Sequence, residues 1–174
     1  MIYADHAATT KISETAKLAM LSAMEKDWYN PSSLYTPGQQ ASGTLMDARV
    51  RIAHCLGCLP KEIYFTSGGS EADNQAILSA AAIGKRQGKM HIISTAFEHH
   101  AVLHTLKKLE KEGFEITLLD VGEKGIVSPA QVEKAIRPDT ALVTVMYANN
   151  EIGTIQPIRE IGAICRKNGV LFHT

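Results

Sequence analysis

The sequence predicts an α/β fold: a mostly parallel sheet with helices on both faces. Three observations carry that reading. From Lys61 onward, short apolar runs alternate with segments of helical period. Three helical segments stop at a glycine, at Gly88, Gly113 and Gly169. The run Ala141–Met146 is apolar and rich in Val, as parallel strands buried on both sides are.

The elements follow in order. The first residues are extended and turn polar at Asp5-His6-Ala7-Ala8-Thr9-Thr10. Ser13 can cap a helix running to Lys26, with Ala16, Ala19, Met20 and Ala23 on one face. A loop holds Asn30-Pro31-Ser32-Ser33, and Thr36 followed by Pro37 reads as an N-cap with Pro at the first helical position. That helix ends near Gly57, so residues 1–60 form an extended segment and helices without a core strand. In residues 61–174 the expected strands are Ile63–Thr66, His91–Thr95, Phe114–Asp120, Ala141–Met146 and Val170–His173. The expected helices are Ser70–Arg86, His99–Glu112, a segment opened by the capping box Ser128-Pro129-Ala130-Gln131, and one opened by Pro157. The sequence stops at the C-terminal tip of its last strand, the end of an open α/β sheet at which ligands bind.

Composition narrows the function classes. The 174 residues carry 18 basic and 18 acidic side chains, so there is no basic surface to suggest nucleic acid or a membrane as partner. No apolar run approaches the ~20 residues that cross a bilayer, and Met1-Ile2-Tyr3-Ala4-Asp5 lacks the basic start of a signal peptide, so the expected location is cytoplasmic. Three cysteines make no disulfide framework. Cys55 and Cys58 form a lone C-x-x-C beside Gly57, and Cys165 reads as a small buried residue.

Three turns carry candidate chemistry. Thr66-Ser67-Gly68-Gly69-Ser70-Glu71 joins a strand to a helix N-terminus, where free N–H groups and the helix dipole attract an anion. Gly68 and Gly69 would let a ligand approach the backbone, and Ser67 and Ser70 offer hydroxyls. Taken alone, the turn reads better as a tight connection with Ser70 as N-cap; it matches neither a P-loop nor G-x-G-x-x-G. Glu98-His99-His100 follows the second strand, placing His99 in the first helical turn at the same sheet edge, suited to stacking on a flat ligand or to proton transfer. His100 and His104 have a metal-compatible spacing, but no Glu stands between them as in H-E-x-x-H, so no metal is assigned. Asn149 and Asn150 follow a further strand at that edge. Together the turns describe a pocket for a flat, phosphorylated ligand.

These residues carry a resemblance. Asp5-x-Ala7-Ala8-Thr9-Thr10, Asn30-Pro31-Ser32-Ser33, Phe65 through Asn74, Glu98-His99 and Asn149-Asn150-Glu151-Ile152-Gly153, in this order, resemble the N-terminal half of cysteine desulfurases of the class V aminotransferase family. The resemblance spans all 174 residues. It implies the large domain of a fold-type I pyridoxal-phosphate enzyme, incomplete in residues 61–174 and truncated after about five strands of a seven-stranded sheet whose first and last strands are neighbours. It implies pyridoxal 5'-phosphate as cofactor, its phosphate held by Gly69 and Ser70, its ring stacked by the catalytic His99, and its phenolic oxygen and the substrate approached by Asn150. Ser70 stands where the family usually has Thr, and Cys58 where it often has Ala.

The implied activity of a full enzyme is conversion of L-cysteine to L-alanine, with sulfur passed through an enzyme persulfide toward iron–sulfur cluster assembly. The implied partners are a second copy of the chain, as a homodimer, and a sulfur-acceptor protein. The Asp at the pyridine nitrogen, the cofactor-bearing Lys and the nucleophilic Cys are expected beyond Thr174, so the 174 residues alone are expected to be inactive and poorly stable unless associated. Selenocysteine lyases and other class V aminotransferases share this half, and a non-catalytic interaction module is the third reading.

Overall fold

The computed structural model describes residues 2–174. It divides into two compact units, one up to Phe65 and one from Thr66 to Thr174.

In the first unit, α1 (Glu14–Lys26) begins where the sequence places it: Ser13 Oγ accepts a hydrogen bond from the Ala16 N–H at 3.2 Å. It buries no residue, and Leu18, Leu21 and Met24 are exposed. α2 (Thr36–Leu56) starts one residue earlier than its sequence signal, with Tyr35 as N-cap and Thr36 already helical. Gly38 explains the tight entry, because a Cβ there would lie 2.6 Å from the Ser33 Cβ. The helix closes at Gly57, whose φ of 67° lies in the left-handed region that glycine adopts freely. A single 3-10 turn, Pro60–Glu62, follows.

Ile63–Thr66 corrects one expectation. The segment is extended at Ile63 (φ −90°, ψ 123°), but it pairs with none of the strands, so the sheet has four strands rather than five. The Ile63 carbonyl is taken by the Arg49 guanidinium instead of a ladder N–H, and the same guanidinium lies 5.1 Å from the Phe65 ring centroid. Apolar alternation reports burial of Ile63, whereas a strand also needs a neighbour.

The second unit contains α3 (Gly69–Arg86), β1 (His91–Thr95), α4 (His100–Lys111), β2 (Glu115–Leu119), α5 (Pro129–Ala135), β3 (Thr140–Thr144), α6 (Ile158–Lys167) and β4 (Leu171–His173). The strands are all parallel, in the order β2-β1-β3-β4. Neighbouring residues of β1 point to opposite layers. Ile92 packs with Ile77 of α3 and Leu106 of α4, while Ile93 packs with Val132 of α5 and Ile161 of α6. Helices therefore cover both faces, as predicted. The capping box at Ser128 and Gln131 and the glycine stops after α3, α4 and α6 form as read. Gly84 seats α3 on the sheet: a Cβ there would lie 2.4 Å from the Ala141 Cβ.

This topology places the site. From β1 the chain crosses toward β2 on one side, and from β3 it crosses toward β4 on the other. The C-terminal ends of β1 and β3 thus flank the point where the winding reverses, and such a point opens a crevice between diverging loops.

Candidate functional site

The loops after β1 and β3 carry His99 and Asn150, one on each side of that crevice. His99 is the N-cap of α4 rather than a residue of its first turn, with φ −61° and ψ 148°. Its Nδ1 accepts the Ala101 N–H at 3.1 Å. An accepting Nδ1 carries no proton, so the neutral ring holds its hydrogen on Nε2, the nitrogen with no partner among the described residues. His99 borders three adjoining hollows. One of about 390 Å³ it shares with Ser70, Asn74 and His104, and one of about 430 Å³ with Phe97, Asn149 and Asn150. A smaller one of about 150 Å³ it shares with Asp73, Glu98 and His173. Ser70 and Asn150 each border a hollow with His99 but border no common hollow.

The glycine turn differs from its sequence reading in two ways. α3 begins at Gly69 with Gly68 as N-cap, so Ser70 is the second helical residue and caps nothing with its side chain. Asn and Ser prefer to cap, but here Glu71 closes the turn from within the helix: its Oε2 accepts both the Ser67 N–H and the Ser67 hydroxyl, each at 2.6 Å. Those bonds hold the Glu71 carboxyl below its ordinary range. Ser67 is thereby spent, while the Ser70 hydroxyl has no partner among the described residues. A Cβ on Gly68 or Gly69 would meet nothing within 4 Å, so the start of α3 is not packed against other residues on that side.

Asn74 ties this turn to the histidine helix. Its Nδ2 donates to the Ser70 carbonyl at 2.6 Å, and its Oδ1 accepts the Thr105 hydroxyl at 2.6 Å. His100 and His104 stack with centroids 5.5 Å apart, and among the described residues no three His, Cys, Asp or Glu side chains gather as metal ligands.

The two asparagines have different tasks. Asn149 is buried: it donates to the Phe97 carbonyl at 3.1 Å and accepts the N–H groups of Glu151 and Ile152 at 2.8 and 2.9 Å. Asn150 is exposed, with its amide nitrogen 3.0 Å from Glu151 Oε1 and its Oδ1 free.

Sequence reasoning gave no role to three groups in the crevice, Glu98, Asp73 and His173. Glu98 is only 6% exposed, and burial raises its pKa against the bonds it accepts from Met146 and Thr95. His173, at the end of β4, sits 2.9 Å from Thr144 Oγ1 through Nδ1 and 3.6 Å from Asp73 Oδ1 through Nε2. Burial lowers the His173 pKa, opposed by Asp73. Glu98 and Asp73 stand in the motifs of the resemblance, beside His99 and one turn into α3, and His173 stands at a strand tip, but no local pattern names their partners.

A doubly covered parallel sheet with polar, unsatisfied groups gathered at its winding reversal defines a ligand-handling α/β protein. The chain belongs to the class V aminotransferase family, whose profile matches residues 2–174. It is 49% identical over 173 residues to the cysteine desulfurase IscS of Methanosarcina thermophila, a match covering 99% of this chain and 43% of that protein. Two solved structures are similar: SspA in complex with cysteine (TM-score 0.93, 39% identity, 99% of this chain and 49% of that one) and a NifS-like protein (TM-score 0.92, 36% identity, 97% and 47%). The chain thus spans less than half the length of these relatives.

Proposed function

We propose that the crevice is the cofactor-holding part of a cysteine desulfurase, with pyridoxal 5'-phosphate as cofactor and L-cysteine as substrate. The observation that carries this reading is His99, which borders one hollow with Ser70 and another with Asn150. The family and its desulfurase relatives support it.

The residues fit the group. The first N–H groups of α3 and the Ser70 hydroxyl are a donor set suited to a phosphate dianion, and the space where side chains of Gly68 and Gly69 would lie is open. His99 offers a ring face, and because Nδ1 is held by the Ala101 N–H, any proton it moves is moved at Nε2. Asn150 can orient an oxygen of the ligand or substrate through its amide. When bound, pyridoxal phosphate supplies the electron sink for bond cleavage at the substrate's amino-bearing carbon. The chain's own part is to bind, orient and exchange protons at His99.

Catalysis also needs a cofactor-bearing Lys and a nucleophilic Cys, and no residue among the 174 matches the family's motif for either. We therefore expect the 174 residues to release no sulfide from L-cysteine above the free-cofactor background. α1, which buries none of its residues, needs a cover for its apolar side chains, and we propose a homodimer acting in the cytoplasm, with a sulfur-acceptor protein as further partner.

The test is a titration of the chain with pyridoxal phosphate, followed through the phosphorus resonance and the amide spectrum. The reading predicts shifts at Gly69, Ser70 and His99 that Ser70→Ala and His99→Ala weaken. Shifts spread over surface lysines instead would refute it.

A further inference from the structure

His99 and Asn150 lie on separate loops, and neither side chain bonds the other loop. Their chain neighbours do. Glu98 Oε1 accepts the Thr95 hydroxyl at 2.9 Å and the Met146 N–H at 2.8 Å, joining the end of β1 to the segment after β3. Asn149 reaches back the other way, donating to the Phe97 carbonyl at 3.1 Å, while its Oδ1 gathers the Glu151 and Ile152 N–H groups. Residues immediately before His99 are thus tied to Met146 and Asn149, and the residue immediately before Asn150 is tied to Phe97. Both tying side chains are buried, at 6% and 7% exposure.

From this geometry we infer that Glu98 and Asn149 form a reciprocal staple that positions His99 and Asn150, setting the span between the two loops before any ligand arrives. The inference rests on the reading of His99 and Asn150 as ligand-facing groups, and it deepens that reading. Glu98 and Asn149 are positioning residues: neither need touch a ligand. Glu98 fixes the backbone of the N-cap, and the N-cap conformation determines that His99 Nδ1 faces the Ala101 N–H and Nε2 faces outward. Sites held by a shell of satisfied hydrogen bonds lose less orientational freedom when they bind.

The test uses the 174-residue chain without cofactor. Nitrogen shifts of the His99 ring report its tautomer, and exchange of the Met146 amide reports the staple. Glu98→Ala should speed Met146 exchange by about tenfold, the equivalent of one lost hydrogen bond. It should also move the His99 ring from a single Nε2–H form toward an averaged pattern, leaving the amides of Ile92 and Leu142 unchanged. Glu98→Gln, whose side-chain oxygen can accept the same two donors, should restore both signals, and Asn149→Ala should disturb His99 in the same direction.

Faster Met146 exchange with an unaltered His99 ring would overturn the inference, reducing Glu98 to a loop anchor. If Glu98→Ala also frees the core amides, Thr95→Val removes one donor only and is read in the same way, by exchange mass spectrometry if ring signals broaden. Pyridoxal phosphate is added last: a wild-type chain that shows the staple but ignores the cofactor refutes the functional reading and leaves the staple standing.

Discussion

Two histidines bracket β1, and they have opposite fates. His91, at its start, is fully buried, with Nδ1 2.8 Å from the Thr140 hydroxyl and Nε2 2.8 Å from the Thr117 hydroxyl. Thr140 Oγ1 also accepts the Arg137 N–H at 2.8 Å, so the hydroxyl is engaged from both sides. Arg137 closes that edge with two bonds to Glu115 and two to Asp139. His99, just past the other end, is exposed, with one nitrogen used and one free. One edge of the sheet is saturated and the other is unfinished. Binding needs hydrogen-bonding capacity left over after folding, and the unfinished edge holds it.

The largest effect that would sharpen this contrast is at the saturated edge. His91→Ala should cost about 3 kcal/mol in urea unfolding, by leaving a cavity and two unpaired hydroxyls, while pyridoxal phosphate affinity per folded molecule stays unchanged. Next is pH. Burial, with Arg137 nearby, lowers the His91 pKa below its ordinary 6.5, so its contribution is complete above 6.5 and is lost as pH falls through the lowered value. Unfolding midpoints should therefore drop between pH 7.5 and 5, and His91→Asn should flatten that slope; His173 adds to it, and Glu98, whose raised pKa acts in the opposite sense, opposes it. Glu115 and Asp139, held low by Arg137, enter only below pH 4.5.

His99→Ala should cost only about 1 kcal/mol of stability, the value of a cap, yet weaken pyridoxal phosphate about fivefold, the loss expected for one stacked ring. A His99→Ala chain with unchanged affinity would break the contrast. Ser70→Ala should leave unfolding unaltered and weaken inorganic phosphate by at most about fivefold. Smallest is Cys58→Ala, expected within about 0.5 kcal/mol in the same urea assay, since the cysteines at 55 and 58 are unbridged.

The sequence carried the alternation of elements, because parallel strands and their helices leave distinct periods and because Ser128 with Gln131 spells its own cap. It placed the turns after β1 and β3 at one edge, since every strand in a parallel sheet ends on the same side; the glycine turn does not follow a sheet strand, and Ser70 borders a hollow with His99 from the start of α3. Ile63–Thr66 was misread because a strand's partner is not a local property. Ser67 was misread because nothing in its neighbourhood says that Glu71 will fold back onto it. Glu98 stands beside His99 in its motif but was given no role for a similar reason: its donor at Met146 lies 48 residues away, and a glutamate's burial depends on what the fold brings over it.

The missing side chain at position 84 has a consequence for the opposite end of its helix. α3 rests against Ala141 at Gly84 with no room for a methyl group. Ser70 lies 14 residues upstream on the same rod, about 21 Å away at 1.5 Å per residue. A helix pivoted near one end works as a lever. A methyl at position 84 would lift the near end off the sheet and swing the Ser70 end relative to the Asn74 tether that joins it to α4. The placement of the Ser70 end of α3 is therefore inherited in part from an atom omitted at the other end.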